Sequence, residues 1–122
     1  MSTLKVNTIQ NTSGGSSSTP AQIEQGRAKA WVTYNSSTVI QDSFGISSIV
    51  DSATGDKTVN FSTSFSNDNY AVSTMAAQGD NCAFSCVDDS QAVGSCRVVT
   101  RTDRTSGKTD FVLTHAIFFG DN

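Results

Sequence analysis

The chain of 122 residues is short of the residues that build helices and of those that carry catalysis. Leu occurs only at Leu4 and Leu113, Glu only at Glu24, and Pro only at Pro20, so a helical bundle has almost nothing to be made from. One histidine, His115, is present, and any Ser-His-Asp or Cys-His arrangement would have to use it. No G-x-S-x-G, Walker or G-x-G-x-x-G motif occurs, and no cofactor is expected. Charged residues make up 16%, with Lys and Arg scattered singly and a net charge of −3, which argues against a nucleic-acid partner. No run approaches the ~18 apolar residues of a membrane span, and the polar first residues lack the parts of a secretory signal. The expectation is therefore synthesis in the cytosol without membrane insertion. Cys82, Cys86 and Cys96 follow spacings that match no zinc pattern. They read as small buried hydrophobes, with a Cys82–Cys96 or Cys86–Cys96 bridge formed later in an extracellular particle as the alternative.

Ser and Thr are abundant instead, with Val, Ile and Phe among them. That is a β composition. A chain of 12.9 kDa buries roughly two-thirds of its unfolded surface, enough for one core and not for two.

The first 26 residues differ from the rest. Leu4 and Val6 alternate with polar neighbours in a short extended segment, and Asn11 to Ser18 has the composition of a flexible linker. Thr19-Pro20-Ala21-Gln22 is a capping-box pattern with Pro at the first helical position, predicting a short helix over Pro20 to Gln25. From Arg27 onward the signals are strands: 27–34, 38–42, 46–51, 58–65, 69–76, 82–87, 95–102 and 109–119. In 58–65, Val59, Phe61 and Phe65 share one face, as in an antiparallel sheet with one wet side. Ala53-Thr54-Gly55-Asp56 predicts a hairpin turn, and the polar loop Asp103 to Lys108 predicts a second hairpin joining the last two strands. The fold class is all-β: an antiparallel sandwich or small barrel of about seven to eight strands over 27–122, with an extended N-terminal arm and a short helix over 1–26.

His115 is in phase with Phe111, Leu113, Ile117 and Phe119, which predicts a histidine buried in the core or at a subunit contact. Trp31 is in phase with Arg27, Lys29 and Thr33, on the more polar face of its strand. There it suits subunit packing, sugar stacking or cover by the N-terminal segment. Asp80, Asp88 and Asp89 lie in one polar region; a Ca²⁺ loop is conceivable, but the spacing fits no defined motif.

The run S-T-L-K-V-N-T-I-Q-N-T-S-G-G-S-S-S-T-P-A-Q-I-E-Q-G-R-A-K-A-W-V, residues 2 to 32, resembles the N-terminus of tail-fibre-like virion proteins of marine bacteriophages, the cyanophage type. The likeness continues through D-S-F-G-I-S-S-I, T-G-D-K-T-V-N-F and D-N-Y-A-V, to about residue 75. It implies a virion location, an N-terminal anchor to other virion proteins of the tail or baseplate, a homotrimeric β-rich body and a distal part that meets the host surface. A capsid decoration or neck protein, and a free carbohydrate-binding module, are the alternatives; an enzyme is not expected.

The residues supply candidates for each role. Leu4, Val6 and Ile9 carry too little apolar surface to order alone and would dock on a partner. Strands with apolar residues on both phases need cover on two sides, which makes Trp31, Val112 and Phe118 the expected oligomer interface. Recognition usually sits on loops, so Asp80, Asn81, Asp88, Asp89, Arg104 and Lys108 are the expected contacts to a host glycan or protein.

Overall fold

Alternating apolar and polar residues translate into strands whose inward positions fill a single core. The computed structural model describes residues 1–78, 81–87, 90–103 and 107–122, with 81–87 described by their backbone. Eight strands build the body: β3 (Ala30–Tyr34), β4 (Ile40–Phe44), β5 (Ile46–Ala53), β6 (Asp56–Phe61), β7 (Ala71–Gln78), β8 (Asn81–Val87), β9 (Ser95–Arg101) and β10 (Leu113–Phe119). They form one antiparallel sheet in the order β4-β3-β10-β7-β8-β9-β6-β5. The sheet folds over on itself, so its two halves face each other as a sandwich. Ala30, Val32, Tyr34, Ala116 and Phe118 come from one half and Val59, Phe61, Cys96 and Val98 from the other, in one buried cluster. Phe65 and Tyr70, from the connection between β6 and β7, close one end: the Phe61 ring meets Phe65 and Phe118 edge-on, with centroids 4.9 Å apart in each pair.

The all-β sandwich expectation therefore holds, and the turn at Thr54-Gly55 joins β5 to β6 as the sequence indicates. The second predicted hairpin does not form. β9 lies between β6 and β8, while β10 lies between β3 and β7 in the other half. Among the described residues the two segments are linked by the Arg101–Lys108 bridge, the Thr109 amide on the Thr100 carbonyl and the Thr100 hydroxyl on the Thr109 carbonyl. A polar loop containing Gly marks a crossing between halves as readily as a tight turn, and β9, with Cys96, Val98, Val99 and Thr100 buried, needs a partner on each edge.

Before the sandwich, β1 (Ile9–Gln10) pairs with β2 (Ser17–Ser18), and α1 (Pro20–Gly26) follows. Asn11 to Ser18 is thus a closed turn where the composition suggested a flexible linker. Asn11 Oδ1 accepts from Ser13 Oγ and from the amides of Gly15 and Ser16, while the Gly14 amide bonds back to the Asn11 carbonyl. An Asx side chain offers the backbone these local bonds, which overrides a Ser/Gly composition. The capping box is present as read: Thr19 Oγ1 accepts from the Gln22 amide and Gln22 Oε1 from the Thr19 amide. Glu24 then ion-pairs with Lys29, whose ammonium is buried at the start of β3.

Gly45 turns the chain from edge strand β4 to edge strand β5. It sits at φ +68°, and a Cβ there would stand 2.6 Å from the Lys29 carbonyl oxygen. Gly45→Ala combines a left-handed backbone with a contact to main chain that cannot swing away. We expect it to lower unfolding free energy by about 2 kcal/mol, read as a drop in urea midpoint with unchanged m-value.

Candidate functional site

Direct cross-strand partners project from the same face of a sheet, so the pairing register builds the outer surface of the β4-β3-β10-β7 half without further assumption. One row across the four strands reads Phe44, Trp31, Ile117, Ser73, and the next reads Asp42, Thr33, His115, Met75. The buried positions of β3 and β10 are the intervening ones, Ala30, Val32, Tyr34 and Thr114, Ala116, Phe118. The outer rows therefore carry the second apolar phase that β10 shows in sequence. Phe44 is 51% exposed, Met75 65% and Ile117 39%, while Trp31, Thr33 and His115 are half-buried.

Between these side chains lies an open cleft of about 380 Å³, floored by Val32, Thr74 and Ala116 and walled by Trp31, Thr33, Ser73, Met75, His115 and Ile117. That is the volume range of small-molecule sites. Thr33 Oγ1 and His115 Nδ1 are 2.9 Å apart and share a hydrogen bond across the strands. This bond orients the ring, which lines the cleft. Asp42 lies on the far side of Thr33 and cannot orient the imidazole; its Oδ1 accepts from the Ser43 amide. The neighbouring main-chain N–H groups are spent on the ladder, so nothing here resembles an oxyanion hole. The arrangement can hold a ligand by ring contact and hydrogen bonds; it offers no activated nucleophile.

A second open surface belongs to the N-terminal segment. Leu4, Val6, Ile9, Pro20 and Ile23 line a shallow cleft of about 540 Å³, and Leu4, Ile9 and Ile23 are 85%, 54% and 46% exposed. The arm thus has a preformed companion in α1, contributed by the capping box that orients Ile23.

The remaining candidates fall differently. Phe118, expected in an oligomer interface, is fully buried in the core, because β10 turns its Thr114-Ala116-Phe118 phase inward. Val112 is exposed just before β10, and Trp31 is on the outer face as its phase indicated. His115 is half-buried on that same outer face and not in the core, because β10 turns its Thr114-Ala116-Phe118 phase inward. Lys108, expected to meet the host, has its ammonium paired with Asp56. Asp80, Asp88, Asp89 and Arg104 lie outside the described residues, and Asn81 opens β8 opposite Gln78. Cys96 is a free thiol buried in the core, and burial pushes its pKa up to about 11 against a weaker opposing pull from Tyr70; the side chains of Cys82 and Cys86, the bridge partners considered above, lie outside the described residues. Among the described residues no three His, Cys, Asp or Glu side chains are placed to hold a metal ion.

No protein-family model, curated protein or solved structure matches this chain.

What the sequence did not reveal is the pairing of Phe44 with Trp31 and of His115 with Thr33, which are 13 and 82 positions apart. Phase within one strand was readable; which strands become neighbours was not.

Proposed function

We propose that the protein is a non-enzymatic structural and adhesion subunit of a virus particle. It is a tail-fibre or fibre-tip chain, homotrimeric, held to other virion proteins by its N-terminal segment and turned toward the host by its β-sandwich. One observation carries the reading: residues 9–26 build a hairpin and a capped helix, and the apolar side chains Leu4, Ile9 and Ile23 that line a common shallow cleft there stay largely exposed. Apolar groups gathered on one side of a small capped unit gain their burial from a partner. The sandwich behind it already has a closed core, so the N-terminal unit serves attachment rather than folding. The resemblance of residues 2 to 32 to virion anchors supports the same assignment.

Light scattering at micromolar concentration should give three times the chain mass of 12.9 kDa. The triple variant Leu4→Asp, Ile9→Asp, Ile23→Asp should keep the wild-type oligomeric mass and circular dichroism, and should be missing from purified particles. A monomeric wild-type chain, or a variant that still enters particles, would sink the proposal.

A further inference from the structure

We propose that the outer-face cleft between Trp31 and His115 binds a neutral glycan, one pyranose ring lying against Trp31 and Ile117 with its hydroxyls toward Thr33, Ser73 and His115. Three observations meet there. Trp31 lines the cleft and half-exposed Phe44 is its direct cross-strand partner, so two aromatic residues stand side by side in one row of the sheet. The apolar C–H faces of sugars pack on such rings, and the driving force is burial of both surfaces. The next row, about 7 Å along the strands, is polar at Asp42, Thr33 and His115. With Nδ1 engaged by Thr33, the His115 Nε2 is left to donate or accept, and hydroxyls can answer either role. Finally, the cleft is lined by no charged side chain, and the residue beside Thr33 in the same row is the acidic Asp42, which disfavours an anionic ligand.

A second copy is the competing occupant, and the face fits it less well. Dry sheet-on-sheet packing about 10 Å apart would strand the Thr33 and His115 pair and the Ser73 hydroxyl among apolar groups, each without a replacement for water. A sugar brings its own donors and acceptors to the same places. The cleft would be the contact surface of the adhesion subunit proposed above, and its biological role rests on that reading; three copies on one particle would multiply a weak single-site affinity.

The test uses the purified full-length chain on an array of neutral oligosaccharides built from glucose, galactose, mannose and N-acetylglucosamine, with sulfated and sialylated glycans alongside. Titration calorimetry follows any hit. The expected result is binding to at least one neutral glycan, weakened at least about tenfold by Trp31→Ala and severalfold by Phe44→Ala. His115→Gln, which keeps hydrogen-bonding groups, should be milder than His115→Ala. Phe44 is on the surface, so its variant keeps the test valid even where Trp31→Ala lowers stability. No binding to any neutral glycan overturns the proposal, as does binding confined to acidic glycans or unaffected by both aromatic variants. A chain whose oligomeric mass falls on Met75→Asp with Ile117→Asp, and which binds no glycan, assigns the face to a second copy. The array reads the isolated protein, so failure there leaves the mass and particle measurements on the N-terminal unit to decide the virion reading separately.

Discussion

Phe118→Ala should cost about 3–5 kcal/mol of unfolding free energy while leaving the subunit count unchanged. The ring is fully buried at the centre of the sandwich, with Phe61 edge-on at 4.9 Å and Tyr70 at 6.2 Å. Truncation removes an aromatic payload and leaves a cavity between two sheet halves whose strands are held at fixed spacing by their ladders, so the site cannot collapse around the loss. Against a total stability of about 5–15 kcal/mol, that is a large fraction. The expectation that Phe118 joins subunits predicts the opposite pattern: altered mass with little change in the urea midpoint. Denaturation and light scattering on the same sample separate the two. A variant that melts like the wild type but changes its mass would show that the inward and outward phases of β10 are reversed.

The confusion over β10 shows where sequence reasoning stops. In 58–65 one phase is apolar and the other polar, and the inward face of β6 follows directly. In β10 both phases are apolar, Leu113, Ile117 and Phe119 on one and Ala116 and Phe118 on the other, so periodicity alone offers no choice. The decision comes from neighbours. Val32 opposite Ala116 and Ala30 opposite Phe118 create a dry inward row, whereas Thr33 opposite His115 creates a wet one. Pairs far apart in sequence carry that information, and a single strand does not. The same limit explains the missing hairpin between β9 and β10 and the meeting of β3, β10 and β7 at the cleft. Helix capping and the Gly55 turn were legible because each is settled within about four residues.

Asp56→Asn should lower stability by about 2–3 kcal/mol near neutral pH, and the deficit should shrink on acidification. The Asp56 carboxylate is 3% exposed and receives the Arg97 guanidinium, Nε at 2.7 Å, together with Nη2 and the Lys108 ammonium. Beside it the Lys57 ammonium, also buried, reaches Asp51 at 2.7 Å and Asp110 at 2.9 Å. Asp110 in turn accepts the Gly55 amide at 2.7 Å, so the β5–β6 turn is bolted to the segment leading into β10. Burial opposes the Lys57 charge, but the Asp110 and Asp51 carboxylates outweigh it and hold the ammonium above the usual lysine range. For Asp56 the Arg97 hydrogen bonds weigh most; with Lys108 they overcome burial and keep the carboxyl far below the usual 3.8. Asparagine keeps the shape and discards the charge. Arg97 and Lys108 side chains are 37% and 28% exposed and can turn partly to water, which places the cost below that of a fully buried broken pair. A carboxyl with a depressed folded pKa contributes its stability above the unfolded value and loses it as pH falls through the folded one. The wild-type advantage should thus be complete at about pH 7 and about pH 5, and should narrow steadily below about pH 4. Urea midpoints of both proteins across that range provide the measurement. A difference that is constant with pH would mean that Asp56 acts through shape alone, and a variant as stable as the wild type at neutral pH would mean that the network contributes nothing to holding the two halves together.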